Sequence, residues 1–248
     1  MIPQILLSIN IPTSSAVRPE HQGYRTRILE FLASELDHHE IVATWLVHDP
    51  KLYDVLKIHD HCSLPQEFSI VVTGNHGVDQ RQNLSQTLSE RVTEGRNLGI
   101  RITTLSLSES IQEQNLNLLV KHRISMVNHH CGQDTAGTLK KTIEPRSLRY
   151  GIWEVPAPLH WVRQLTHPVR ELVLRSAMHF KSPQAFQHIQ IDVHALLQQK
   201  VALEKIAGLL RTLVRMRTKG KIEITPIRSA ATLLRHQQTQ QRFQIPAA

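Results

Sequence analysis

Two rhythms of hydrophobic and polar positions run through this chain. The first is a set of short apolar runs with no helical period. Residues 5–9 (Ile-Leu-Leu-Ser-Ile), closed by Asn10 and Pro12, form one such run and read as a buried strand. Residues 42–47, 68–73, 100–107, 124–127, 148–155, 189–193 and 221–225 read the same way. The second rhythm is helical. Tyr24, Ile28, Leu32 and Leu36 recur every fourth residue, and Leu84, Leu88, Val92 and Leu98 carry a period through a polar stretch that Gly99 ends. Residues 111–122 and 172–180 read as further helices, with short ones at 51–56 and 228–235. The strongest helix spans 195–216, where Leu196, Leu203, Ile206, Leu210, Leu213 and Val214 share one face.

Strand and helix alternate through nearly the whole chain, without an internal repeat or a linker-like stretch. Parallel neighbours need crossover connections, and helices fill that role. The pattern therefore predicts one α/β domain over residues 1–248, with seven or eight mostly parallel strands and a frayed Gln-rich tail from residue 237. Whether the sheet closes into a barrel or stays open and doubly wound is not separated by the pattern.

Composition narrows the function classes. With 248 residues and 40% hydrophobic content, the chain can bury a sizeable core. Three Trp, three Tyr and five Phe leave few rings for a stacking platform. Two cysteines, Cys62 and Cys131, cannot form a disulfide framework and suit a reducing compartment. The apolar runs are far too short to span a membrane, and the first residues lack a secretory pattern, so a cytoplasmic location is expected.

Charge is unevenly spread. Lys and Arg balance Asp and Glu at 19 each in residues 1–199, while residues 200–248 hold 10 bases against Glu204 and Glu223. This stretch supplies the whole net charge of +8. It reads either as a solvated helix face or as a polyanion-binding surface built on Arg211, Arg215 and Arg217.

Certain strand phrases carry a family likeness. They are Leu6-Leu7-Ser8-Ile9-Asn10, Ala43-Thr44-Trp45-Leu46-Val47, and the run from Glu67-Phe68-Ser69 to Gly74-Asn75-His76. The end of the chain adds a long helix, Gly220, a short strand and Ile224-Thr225-Pro226-Ile227-Arg228. In this order they resemble the polysaccharide deacetylase family, carbohydrate esterase family four. The resemblance implies a distorted or incomplete (β/α) barrel. It also implies a divalent-metal hydrolase that removes N-acetyl groups from carbohydrate, using an Asp-Asp pair after the first strand and a His-x-x-x-His pair after the third. The metal lowers the pKa of its bound water and polarises the amide carbonyl.

The matching positions depart from that pattern. The first strand ends Ile9-Asn10-Ile11, with no acid, and His76 is followed four residues on by Gln80 rather than a second His. The family's Arg-Pro-Pro phrase is replaced by Ser106-Leu107-Ser108-Glu109. Without an ionised base, the family reaction has no proton acceptor at these positions.

Barrels carry chemistry at the C-terminal ends of their strands. There the chain offers Asn10, His48, Asp49, Asn75, His76, His129, His130, Glu154, Asp192 and His194. A rebuilt site would hold one divalent ion (zinc, nickel, iron or cobalt) on His76 and His129. Glu154 and Asp192 would be its catalytic residues, Glu154 as an assisting acid and Asp192 also as a candidate metal ligand beside His76, and Asn10, Asn75 and His194 would bind ligand. Against this, sixteen His residues place several on loops by number alone. The clusters His59-Asp60-His61-Cys62 and His129-His130-Cys131 lack the two-to-four-residue gaps of zinc sites. They read as exposed loop residues, and Trp45 reads as core. Two functions are thus expected: a deacetylase-like protein with a degenerate site, or a non-catalytic barrel that binds an anionic partner through its basic C-terminal region.

Overall fold

A computed structural model describes residues 2–13, 17–51, 53–72, 80–107, 111–129, 145–155, 159–160, 186–199 and 203–243. At Tyr53, 80–82, His129, 159–160, Gln199 and 236–243 the description covers the backbone only. The helix expected at 172–180 lies outside these residues.

Seven α-helices and ten strands are described, with three short 3-10 turns between them. In chain order they are β1 (Gln4–Asn10), α1 (Gln22–His38), β2 (Thr44–Val47), α2 (Tyr53–His61), β3 (Glu67–Val72), α3 (Gln80–Asn97), β4 (Ile102–Leu107), α4 (Leu116–Lys121) and β5 (Met126–His129). There follow β6 (Arg146–Ser147), β7 (Trp153–Val155), β8 (Leu159–His160), β9 (Phe186–Asp192), α5 (Val193–Gln199), α6 (Leu203–Thr218), β10 (Glu223–Thr225) and α7 (Ile227–Phe243). The sheet runs β6-β7-β5-β4-β3-β2-β1-β9-β8, parallel except for β6 against β7. Strand β10 shares one edge of β1 with β2, pairing with Gln4–Leu6 while β2 pairs with Ser8–Asn10. Among the described residues no pairing joins the two ends of this path, so the sheet is the incomplete barrel that was expected.

Residues in register on parallel neighbours share a face, and successive residues alternate. The outer face carries Ile5, Leu7, Ile9, Trp45, Phe68, Ile70, Leu105 and Val127, which bury against Ile28, Leu32, Leu36, Leu88, Leu119 and Leu213 of the helices. Trp45 is core, as expected, and its Nε1 donates to Gln66 Oε1 at 3.2 Å. Four helices close alike, with a left-handed residue and a bond back across the last turn: Glu40 after α1, Gly99 after α3, Arg123 after α4 and Gly220 after α6.

The inner face has two layers. Toward the N-terminal ends of the strands it holds the apolar Leu6, Met126, Trp153 and Phe186, with Val155 one step higher in register with Asn128. Ile227, Ala230, Ala231 and Leu234 pack into this layer from α7, at the i, i+3, i+4, i+7 spacing of one helix face. The first turn of α7 is tied to the N-terminal ends of β2 and β3. Ile227 N–H donates to Thr44 Oγ1 at 2.8 Å, and Arg228 N–H donates to both oxygens of Glu67, at 2.9 and 3.1 Å. The C-terminal helix thus plugs the bottom of the half-barrel.

Several boundaries differ from the sequence reading. The single helix expected over 195–216 is described as α5 and α6, with 200–202 outside the described residues. Helix α2 extends through the His59–His61 stretch, which was expected to be loop. Helix α7 runs to Phe243 rather than ending near 235, because Gln and Arg favour helix although they carry no apolar period. No helix among the described residues is long and apolar enough to cross a membrane.

Candidate functional site

The upper inner face mixes polar and apolar positions: Leu46 stands in register with Asn10 and Ser69, Val71 with Ser106, and Val155 with Asn128, all of them buried. β1 turns Ser8 and Asn10 inward, β3 Glu67 and Ser69, β4 Thr104 and Ser106, β5 Asn128, and β9 His188, Gln190 and Asp192. An extra residue between the β4 partners of Phe68 and Ser69 bulges the strand, so Ile102 faces out while Thr104 and Ser106 face in. These side chains are sealed from water: Ser8, Ser69, Thr104, Ser106, Asn128 and Gln190 have no exposed surface, and Asn10 keeps 6%.

Part of this layer is satisfied internally. Ser106 Oγ donates to Asn128 Oδ1 at 2.7 Å, and Ser8 Oγ bonds His188 Nε2 at 2.8 Å. The second pair has the separation of a nucleophile and its base, but its place in the fold is structural. Ser8 lies in register with Thr44 and, beyond it, Glu67, at the feet of β2 and β3 where α7 is anchored. The remainder is not satisfied. Asn10 Oδ1, Ser69 Oγ, Asn128 Nδ2 and both amide atoms of Gln190 have no hydrogen-bond partner among the described residues. Such an atom costs about 1–3 kcal/mol when buried, so five of them on four residues of one face call for an explanation.

The expected site residues separate on this frame. Asn10 and Asp192 are brought together, as register partners on β1 and β9. Asp192 has a structural task, since its Oδ1 accepts the N–H groups of His194 at 2.9 Å and Ala195 at 3.4 Å and so caps α5. His194 points its Nε2 to Gln198, at 2.8 Å. Glu154 shares its face with Val127, on the outside of the sheet, where Arg146 holds its Oε2 from two nitrogens at 2.8 Å. Asp49 is bound by Arg91 of α3 at 2.9 Å. His129 is the register partner of Leu107, and its side chain is not described. Asn75, His76, His130 and Cys131 lie outside the described residues.

The cluster at 59–62 does not converge. His61 Nδ1 bonds Lys57 O at 2.9 Å, and the His59 ring stands edge-on to Phe68 at 6.3 Å. Burial, with the nearby Asp37 charge, pushes the Cys62 thiol up to about 11, so it stays protonated at neutral pH. Among the described residues no three His, Cys, Asp or Glu are placed to hold one metal ion. The groups around Asn10 are neutral amides and hydroxyls, whereas zinc, nickel or iron prefer imidazole, thiolate and carboxylate. The described part of the lumen therefore does not fit the metal that the resemblance implies.

Sequence reasoning missed Ser69, Ser106, Asn128 and Gln190. The signal was present as period two within runs that read simply as apolar: Ser-Ile-Asn at 8–10, Glu-Phe-Ser at 67–69, Thr-Leu-Ser at 104–106, and His-Ile-Gln-Ile-Asp at 188–192.

A curled parallel sheet with an α7 plug below and buried amides and hydroxyls above defines a deacetylase-type incomplete barrel, and solved structures agree. A Mycobacterium smegmatis protein assigned as a polysaccharide deacetylase superposes with a TM-score of 0.70 at 10% identity, covering 96% of this chain and 91% of its own. The 4-alpha-glucanotransferase of Thermococcus litoralis superposes at 0.62 and 12% identity, over 92% of this chain and 40% of its own. A mutant of a CE4 family pseudoenzyme from Bacillus anthracis, described as having restored enzymatic activity, gives 0.51 at 10% identity, over 92% and 67%. No family model and no curated protein matches the chain by sequence. The chain thus has the polysaccharide deacetylase fold, a fold that also carries glucan transfer, so the activity must be argued from the site.

Proposed function

We propose that this chain is a divergent polysaccharide deacetylase-like protein with a degenerate catalytic site, one that engages carbohydrate without metal-dependent removal of acetyl groups. The observation that carries this reading is Asn10. It stands where the family places its acidic pair, it is buried, and it offers a neutral amide in place of an ionised base. Its register partner Asp192 is an acid, and one of its carboxylate oxygens is taken up in capping α5.

The test is elemental analysis of the purified full chain together with turnover of an N-acetylated chitooligosaccharide and of p-nitrophenyl acetate. Substoichiometric metal and no turnover above the buffer rate are expected. One bound zinc, nickel, iron or cobalt per chain with turnover would overturn the reading.

A second reading, binding of a polyanion, draws on α6. Arg211 and Arg215 are exposed one turn apart, on the side away from buried Leu209, Leu210 and Leu213. Arg217 contributes less, because its guanidinium donates to the carbonyls of His39 at 2.6 Å and Glu40 at 3.1 Å, tying α6 to the end of α1. This reading predicts heparin retention that weakens between about 50 and about 300 mM salt. Arg211→Glu and Arg215→Glu should lower that retention, and unchanged retention would exclude it.

A further inference from the structure

Three large apolar side chains stand exposed among the described residues, Ile2, Val120 and Tyr150, and the last two lie on elements that meet. Val120 sits in the last turn of α4, and Tyr150 in the turn at 149–151 that joins β6 to β7 and packs against α4. Tyr150 is the most exposed of the three, at 67%. Its backbone is left-handed, at φ 61° and ψ 25°, and Gly151 follows at φ 71°. Ile152 N–H donates back to Arg149 O at 3.3 Å and closes the turn. Two successive left-handed residues at a hairpin tip are usually supplied by Asn-Gly or Gly-Gly, because a large side chain is strained there. Folding therefore does not explain an aromatic residue at this position, which neither buries its ring nor relaxes its backbone.

The surroundings of the ring are basic. Lys121 and Arg123 are exposed at the end of α4, and exposed Arg149 precedes the ring. Arg235 of α7 donates to Gly151 O at 3.1 Å and ties the plug helix to the turn. Arg96 of α3 approaches the same place. Burial, then the charges of Lys121 and Arg96, hold the His122 imidazole below its ordinary pKa of 6.5. Opposing charge is sparse. Arg149 lies 3.5 Å from Glu113, with both side chains largely exposed, and Glu154 is held by Arg146. Lys121, Arg123 and Arg96 form no ion pair among the described residues. Bases at a helix C-terminus complement its dipole, and Lys121 and Arg123 fill that role for α4. The dipole accounts for neither Arg149 nor the ring.

Charge and ring together select the partner. The bases call for a multivalent anion, and a net charge of +8 disfavours a second copy of the chain at this face. Acidic peptides would neutralise the bases and leave the ring unused. A nucleic acid uses both, with phosphates on the bases and a nucleobase stacked on the ring. That nucleobase must be unpaired, since a duplex presents no free face to an isolated ring. We infer that the turn at 149–151 and the adjoining end of α4 form a binding surface for single-stranded nucleic acid, with Tyr150 stacking and Lys121, Arg123 and Arg149 on the phosphates. This surface goes beyond the readings above and uses neither the lumen nor α6.

The test is fluorescence anisotropy of the full chain with fluorescein-labelled oligothymidylate and with the same strand annealed to oligoadenylate. Co-sedimentation with phosphatidylserine–phosphatidylcholine vesicles runs beside it. The single strand should bind at least about tenfold more tightly than the duplex. Its affinity should fall at least about tenfold between about 50 and about 300 mM salt. Tyr150→Gly should weaken binding about tenfold, as loss of one stacked base does. This variant should fold at least as stably as the parent, because glycine accepts the left-handed backbone without strain. Lys121→Glu combined with Arg123→Glu should weaken binding about tenfold and flatten the salt dependence. Should that double variant fail to fold, Arg149→Glu gives the same readout from an exposed turn. No binding up to about 100 μM chain in low salt, the limit of non-specific affinity, would overturn the inference. So would equal affinity for the duplex, or a Tyr150→Gly protein that binds like the parent. Binding to the vesicles without binding to the oligonucleotide would overturn it in favour of a membrane surface. Oligonucleotide binding lost only in Arg211→Glu and Arg215→Glu would overturn it by moving the polyanion to α6.

Discussion

Asp192 and Asn10 face each other in register across β9 and β1, but only Asp192 is engaged, through the N–H groups of His194 and Ala195. The acid in register with Asn10 therefore caps a helix through one of its two oxygens. A capping role depends on an oxygen acceptor and not on charge. Asp192→Asn should then unfold within a few tenths of a kcal/mol of the parent, whereas Asp192→Ala should cost about 1 kcal/mol. Urea unfolding monitored by far-UV circular dichroism measures both. A large loss for Asp192→Asn would show that the carboxylate charge does more than cap α5.

A buried hydroxyl without a partner should leave a trace in stability. Ser69 Oγ is fully buried and has no partner among the described residues, so it contributes desolvation cost without a compensating bond. Ser69→Ala should raise stability by about 1 kcal/mol. Thr104→Val makes the contrast, because Thr104 Oγ1 donates to Glu67 Oε1 and its loss leaves a buried carboxyl short of a donor. That variant should be destabilised by about 1–3 kcal/mol. If Ser69→Ala were destabilised equally, its hydroxyl would be making a structural bond.

The sequence pattern conveyed the fold better than the site, for a physical reason. Outer-face positions such as Ile5, Leu7, Ile9, Phe68 and Ile70 bury against helices, and helix faces such as Ile206, Leu210 and Leu213 answer them, so both periods are strong. The lumen is lined from five strands at once. Asn10, Ser69, Asn128 and Gln190 are far apart in sequence, and only registration across β1, β3, β4, β5 and β9 brings them to one face. Reading strand ends as the site favoured Glu154, but counting to the strand end does not tell which face a residue takes. One residue of register sends Glu154 outward to Arg146, while Trp153 and Val155 turn inward. Likewise the α7 plug was hidden, because half of that helix is a polar Gln-rich run with no period of its own.

Two glycines on helices of the outer layer should respond in opposite directions. A Cβ at Gly95 of α3 would lie 2.5 Å from Ile102 Cδ1 and 3.2 Å from Ile100 O, where the helix ends against β4. At Gly208 of α6 a Cβ meets nothing within 4 Å. Alanine improves helix propensity by about 1 kcal/mol at either site. At Gly95 the overlap costs about 1–3 kcal/mol and outweighs that gain. Gly95→Ala should therefore lower stability by about 1 kcal/mol net, and Gly208→Ala should raise it by a similar amount. Chemical denaturation of the two variants decides the sign, and a stabilised Gly95→Ala would mean that α3 can move off β4 freely.

Glu67 joins the barrel to its plug, and it should make that junction sensitive to pH. Burial raises its pKa above the ordinary 4.5, against the opposing pull of the Thr104 hydroxyl, the Arg228 N–H and charge, and Thr44. The folded chain then holds this proton more tightly than the unfolded chain does. Between 4.5 and the folded value the unfolded state binds fewer protons, so the contribution of Glu67 to stability is full below that window and falls as pH rises through it. Glu67→Gln keeps an oxygen acceptor for Arg228 and Thr104 but cannot ionise. Relative to the parent, this variant should gain stability as pH rises through the window and then hold a constant difference. Glu67→Ala, which leaves those donors unpaired and opens a gap at the foot of β3, should cost about 2–4 kcal/mol below the window, a deficit that narrows through it by the same amount that the Gln variant gains. Urea unfolding of the three proteins from about pH 4 to about pH 8 separates the effects. A parent and a Gln variant whose difference does not change with pH would show that Glu67 titrates alike in the folded and unfolded chains.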